Sequence, residues 1–141
     1  GTANPFEYVG APWIDPLELV RELEQTMLTG VMFRPAYFEP TTSKHAGKEC
    51  GGVQVIVSDR ERIDSCLTGL TLLSTIRALY PEETTWWHVP GMAFPFGIDR
   101  LMGTDKIRQG LEQGQEPKEL IRNWAEESKE YRQACTPYLL Y

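Results

Sequence analysis

The stretch FRPAYFEPTTSKHAGKECGGVQVIVSD, Phe33 to Asp59, decides the fold. Its second half, Val53-Gln-Val-Ile-Val57, is β-branched and nearly continuous in its apolarity, the signature of a strand covered on both faces and therefore central. Its first part, with Val31 and Met32 before it, is aromatic and extended, but Pro35 has no N–H to give to a ladder and belongs on an edge or at a strand end. Between the two runs lies a loop with Lys44, His45, Lys48, Glu49 and Cys50, and with Gly47, Gly51 and Gly52. It is either a chemical site or only a connection between strands.

Outward from this hairpin, Asp15-Pro16 followed by Leu17, Val20, Leu23, Met27 and Leu28 predicts a capped helix, with Glu18 completing a capping box and Gly30 closing its C-terminus. A second helix is expected from Asp64 or Ser65 to Pro81, with Leu67, Leu70, Leu73, Ile76 and Leu79 as its apolar stripe. Thr85-Trp-Trp-His-Val89 reads as a short third strand, and the Pro/Gly-rich run Pro90 to Gly97 either as a cleft-lining or lid loop or as an ordinary surface connection. Thr104 or Asp105 opens a short helix, Pro117 opens a last long one, and Tyr138-Leu-Leu-Tyr141 is apolar enough to dock as a strand or against a neighbour. These elements predict a compact single α/β (α+β) domain, a small mixed sheet flanked by about four helices.

The chain has 141 residues, 41% hydrophobic and 24% charged, which fits one folded core rather than disorder. A net charge of -6 with no basic stripe argues against nucleic acid as a partner. No apolar run approaches the ~20 residues of a membrane span. Gly1 in place of an initiator methionine is expected of a piece cut or processed from something larger. Three cysteines, Cys50, Cys66 and Cys135, do not read as a disulfide framework, and a single bridge between two of them stays open.

Several residue groups could carry chemistry. His45, Cys50 and Asp59 are the residue types of a thiol hydrolase, but nothing in their spacing enforces contact, and a cysteine before a glycine pair and a buried strand suits packing. With two histidines and no C-x-x-C, no metal site and no cofactor are expected. Glu7, Glu39, Glu49, Asp59 and Asp99 lie outside the helix stripes and could reach a cleft, as the paired carboxylates of glycoside hydrolysis must, although most charged residues are simply solvated. Of Trp86 and Trp87, an extended backbone sends one into the core and leaves the other partly exposed.

Taken in order, Gly1-Thr2-x-x-Pro5-Phe6-Glu7, Gly10-Ala11-Pro12-Trp13, Phe33-x-Pro35, Phe38-x-Pro40, Ser43-Lys44, Cys50-x-Gly52-Val53, Asp59-Arg60, Ile98-Asp99-x-Leu101-x-Gly103-Thr104 and Tyr138-Leu-Leu-Tyr141 resemble the C-terminal part of the family once called domain of unknown function 1343, whose characterised members are exo-β-N-acetylmuramidases of the NamZ type. The resemblance implies that residues 1–141 are the C-terminal domain of a larger protein. Its N-terminal Rossmann-like domain, absent from this chain, would be its partner and would hold the principal catalytic glutamate. The implied function is a substrate-cleft domain of a peptidoglycan-degrading glycoside hydrolase, inactive alone, with a muramyl sugar or peptidoglycan fragment as substrate and a periplasmic or secreted location. Glu7, Tyr37, Lys44 and Asp99 are the implied substrate-binding residues, Lys44 facing the lactyl carboxylate or acetamido group. The segment Trp86 to Phe96 departs from the family pattern. The alternative is a non-enzymatic docking module whose apolar face holds a partner domain or a second copy of the chain in a homo-oligomer.

Overall fold

Backbone approaches backbone at the centre of the sheet, and the glycines there are what permit it. A Cβ on Gly52 would stand 2.1 Å from the Val9 carbonyl oxygen, and one on Gly51 would stand 2.2 Å from that of Ile14. Around this seam the computed structural model, which describes Thr2 and residues 6–139, builds a three-stranded sheet in the order β1-β3-β2. The strands are β1 (Tyr8–Ala11), β2 (Val31–Phe38) and β3 (Cys50–Val57). Both pairings are antiparallel, so the small sheet is not mixed. As expected, β3 is central and Pro35 lies on an edge strand.

The third strand is β1, not Thr85 to Val89, where only an isolated bridge joins His88 to Phe96. The reason is register: Val9 and Ala11 face Val53 and Gly51 and join the core, while the tryptophan segment has no strand to lie against.

Helix α1 (Pro16–Gln25) begins as the sequence predicts, Asp15 accepting from the N–H groups of Leu17 at 2.8 Å and Glu18 at 3.1 Å. The capping box takes a different form. The Tyr80 hydroxyl stands between its two halves, accepting from the Asp15 N–H at 3.0 Å and donating to Glu18 at 2.8 Å. This ties the start of α1 to the end of α2 (Ser65–Leu79), which Asp64 caps through the Leu67 N–H. Gly30 does not close α1; with φ at 75° it forms the turn into β2, and its carbonyl accepts from Ser58 and Asp59.

Leu19, Leu23, Val53, Leu72 and Ile76 are buried together between the sheet, α1 and α2, with Trp13, Phe33 and Tyr80 against them. A second, smaller cluster gathers Leu70, Ile107 and Leu111 with Trp86, Ile98, Leu120 and Trp124. It is built by α2 through Leu70 and Leu73 together with α3 (Gly97–Met102), α4 (Lys106–Glu112), α5 (Pro117–Leu120) and the start of α6 (Trp124–Cys135). The expected long last helix is thus two helices, broken so that Leu120, Ile121 and Trp124 can all turn into this cluster. Helix α3 was not predicted, because its Gly97 and the prolines before it mask a helical pattern. Tyr138 and Leu139 are exposed at a short 3₁₀ turn, not docked; the rest of the expected terminal strand lies outside the described residues.

Candidate functional site

The hairpin loop between β2 and β3 is an ordered structure of its own. Pro40 is buried at its root, the Gly47 N–H returns to the Pro40 carbonyl at 2.9 Å, and Ala46 and Lys48 donate to Ser43 and His45. Ser43 and His45 both sit at positive φ, 69° and 63°, a region that costs a residue with a Cβ about 1 kcal/mol. Ser43, Lys44 and His45 of the loop and the residues of β1 line one cleft. The cleft, of about 620 Å³, is walled by Tyr8, Trp13, Phe38, Ser43, Lys44 and His45. Opposite them stand Leu73 and Ile76 of α2 and the segment Glu83 to Thr85. Tyr8 and Phe38 form a tilted ring pair with centroids 5.3 Å apart.

The cleft is cationic at its loop side. Among the described residues neither Lys44 nor Lys48 makes an ion pair, so their charge acts on what is near. His45 feels it: burial first, then Lys44 and Lys48, hold its imidazole below the ordinary value. At neutral pH this leaves a neutral imidazole beside ammonium groups, surrounded by aromatic faces and hydroxyls. Such a wall can hold an apolar ring face together with an anionic substituent. Another concavity of about 490 Å³, between α1, α2 and Pro117, is lined mainly by threonines, leucines and charged termini and has no aromatic ring.

Of the four residues singled out in the sequence, Lys44 alone lines this cleft. Glu7 adjoins it, between the cleft residues Phe6 and Tyr8, and accepts from the Gln54 side-chain amide at 2.9 Å. Gln54 in turn accepts from Arg34, so a polar chain runs from β2 across β3 to the residue just before β1. Tyr37 is 69% exposed and outside the cleft wall. Asp99 is only 2% exposed and accepts from Arg108 Nε at 3.0 and 3.1 Å, so its carboxylate serves the second cluster, not the cleft. Reasoning from sequence did not find Tyr8, because a four-residue strand containing glycine gives almost no periodicity; Tyr8 followed by Val9 was the available signal.

The thiol-hydrolase grouping does not assemble. Cys50 is fully buried, its thiol directed at the Lys48 carbonyl at 3.5 Å, and burial pushes that thiol up against the opposing pull of Lys48. Asp59 is used in a turn, accepting from the Glu61 N–H at 3.0 Å. Among the described residues no group of three or more metal-ligating side chains occurs, and no helix is long and apolar enough to cross a membrane.

The fold and the cleft define a class: a small α/β module with a cleft lined by an edge strand, a lysine-bearing hairpin loop and a helix. The chain belongs to the family described as exo-beta-N-acetylmuramidase NamZ, C-terminal, which it matches over residues 1–141. It is 37% identical over 141 residues to the peptidoglycan beta-N-acetylmuramidase NamZ of Bacillus subtilis (strain 168), covering all of this chain and 33% of that protein. The crystal structure of a DUF1343 family protein from Bacteroides fragilis superimposes with a TM-score of 0.79 at 26% identity, covering 97% of this chain and 35% of that one. The chain therefore spans about a third of the length of the relatives it matches.

Proposed function

We propose that this chain is the substrate-cleft domain of a peptidoglycan-degrading exo-β-N-acetylmuramidase, inactive alone. A second, Rossmann-like domain N-terminal to it supplies the principal catalytic carboxylate. The observation that carries this reading is the cleft at β1, where Lys44 has no ion-pair partner among the described residues, in a chain matched over residues 1–141 by a muramidase C-terminal family. N-acetylmuramic acid differs from its neighbour in the glycan by an acidic lactyl ether, and a lysine over an aromatic wall suits an anionic group on a sugar ring. Lys44 is the carboxylate-binding residue in this reading. Glu7, held by Gln54, contributes an acceptor for hydroxyl or amide protons at the cleft's margin.

The test is hydrolysis of a chromogenic N-acetylmuramide by the full-length protein, by its Lys44→Ala variant and by residues 1–141 alone. A charge-assisted hydrogen bond is worth roughly 1.5–3 kcal/mol, so Lys44→Ala should lower kcat/KM about tenfold to a hundredfold. The isolated chain should give no turnover. Robust turnover by the isolated chain would overturn the division of labour, and an unaffected Lys44→Ala enzyme would remove that residue's role.

The docking reading keeps one observation of its own. Met32, on the edge strand β2, is 54% exposed on a sheet face where Arg34 and Gln54 also lie, which suits a partner domain or a second copy. Concentration-dependent sedimentation of the isolated chain, without binding of muramyl sugars, would favour it.

A further inference from the structure

From the cleft wall at Glu83 to Thr85 the chain runs directly into the segment Trp86 to Phe96. Trp86 turns inward to the second cluster, with the Arg77 guanidinium 4.5 Å over its ring. Trp87 turns outward and is 70% exposed. An exposed indole is ordinarily free to rotate, but this one is fastened. A Cβ on Gly97 would lie 2.6 Å from Trp87 Cε3, so the ring rests directly on the Gly97 backbone. The Gly97 N–H also donates to the Trp87 carbonyl at 3.0 Å. The Arg100 guanidinium stands 4.8 Å from the centroid of the same ring.

Gly97 and Arg100 are three residues apart on α3 and therefore neighbours on one side of it. The indole is thus fastened to α3 through both residues while most of its surface stays open to solvent. Arg100 buttresses the rest of the segment too, its Nη1 donating to the Met92 sulfur at 2.9 Å and the Phe94 carbonyl at 3.3 Å. Among the described residues its Nε and Nη2 make no hydrogen bond, leaving N–H donors beside the ring. Met92 and Phe94, each 50% exposed, extend the apolar surface.

We propose that Trp87, with Arg100, is a second carbohydrate subsite that stacks a pyranose ring of the glycan strand beyond the sugar held in the cleft. This rests on the glycan-strand reading of the preceding section. Two features favour a sugar over other occupants. An aromatic ring fastened in this way offers the apolar C–H face of a pyranose a surface already ordered, so little entropy is lost on binding. The adjacent guanidinium donors complement the acidic lactyl ether that every second residue of such a strand carries. Reach agrees as well: Trp87 is two residues from the cleft residue Thr85, at most about 7 Å along an extended backbone. A strand leaving the cleft on that side meets Trp87 next.

The experiment compares full-length wild type, Trp87→Ala and Trp87→Phe on a chromogenic N-acetylmuramide, which fills only the cleft, and on peptide-free peptidoglycan glycan strands. Trp87→Ala should raise KM for the strands roughly three- to tenfold and leave the KM for the small substrate unchanged, while Trp87→Phe keeps most of the wild-type value. In parallel, retention on immobilised glycan strands is measured, because it needs no turnover; Trp87→Ala should be retained less than wild type. The inference is overturned if Trp87→Ala changes neither strand KM nor retention, or if it raises KM for both substrates alike, which would mark a structural role. A wild-type protein that hydrolyses neither substrate defeats the muramidase reading instead, and retention then decides separately whether Trp87 holds a glycan.

Discussion

The two halves of the molecule are held together by different forces. In the sheet half, glycine lets backbone meet backbone, and Leu19, Leu23 and Val53 are sealed at 0–1% exposure with scarcely a polar atom among them. In the helical half the apolar cluster is small, and arginines do much of the joining. Arg77 lies over Trp86, Arg108 stands 4.1 Å over the Phe96 ring while paired to Asp99, and Arg100 lies over Trp87. A half fastened mainly by apolar burial depends less on any one charged partner than a half whose aromatic and apolar contacts are joined by guanidinium groups.

The largest effect should come from the sheet half. Leu19→Ala empties a fully buried position, and about 4 kcal/mol of stability should be lost with one cooperative urea transition shifted for the whole chain. Asp99→Ala should cost less, roughly 3 kcal/mol, because it strands a largely buried arginine that keeps only Glu112. Its loss should show as faster amide exchange confined to α3 and α4, with β3 still protected. If exchange rises equally in the sheet, the two halves are one cooperative unit and the contrast fails.

Tyr80→Phe removes the hydroxyl between Asp15 and Glu18 and should cost about 1 kcal/mol near neutral pH. Burial, together with the Glu18 carboxylate, pushes the Tyr80 hydroxyl up against the opposing Asp15 N–H. The unfolded chain therefore loses this proton before the folded one. The stabilisation is complete below the ordinary tyrosine value and declines as pH rises through the folded one. Denaturation followed at increasing alkaline pH should show a shallower fall for Tyr80→Phe than for wild type.

The smallest effect tests the cleft. An NMR titration of His45 should give a midpoint below 6.5, and Lys44→Gln should move it partway back, burial accounting for the remainder. Since the unfolded chain binds this proton more readily, His45 lowers stability as pH falls through its ordinary value and adds no further loss once the folded imidazole is protonated too. A midpoint unmoved by Lys44→Gln would show that the lysine does not face the histidine across the loop.

What the sequence made legible follows the same division. β3 announced itself because Val53, Val55, Ile56 and Val57 form a β-branched run broken only at Gln54, as a central strand requires, and α1 because Asp15-Pro16 opens a clean 3.6-residue stripe. α3 stayed hidden, since its stability comes from Asp99 meeting Arg108 nine residues later, a partnership no local period records. Of the candidate residues, Lys44 was legible from its place on a polar loop and lines the cleft, whereas Tyr8 and the partnership of Glu7 with Gln54 depend on strand register. Asp99 looked available because it lies outside every stripe; its burial against Arg108 depends on a partner nine residues away.

One contact made by the hairpin root has a mechanical corollary. The Phe38 ring covers Gly10, where a Cβ would come within 2.9 Å of it, so the lysine-bearing loop is clamped to β1 at its base. Tension applied to the polypeptide ahead of Tyr8 would therefore tug the cleft's loop side directly, by way of the first strand, without first disturbing any helix.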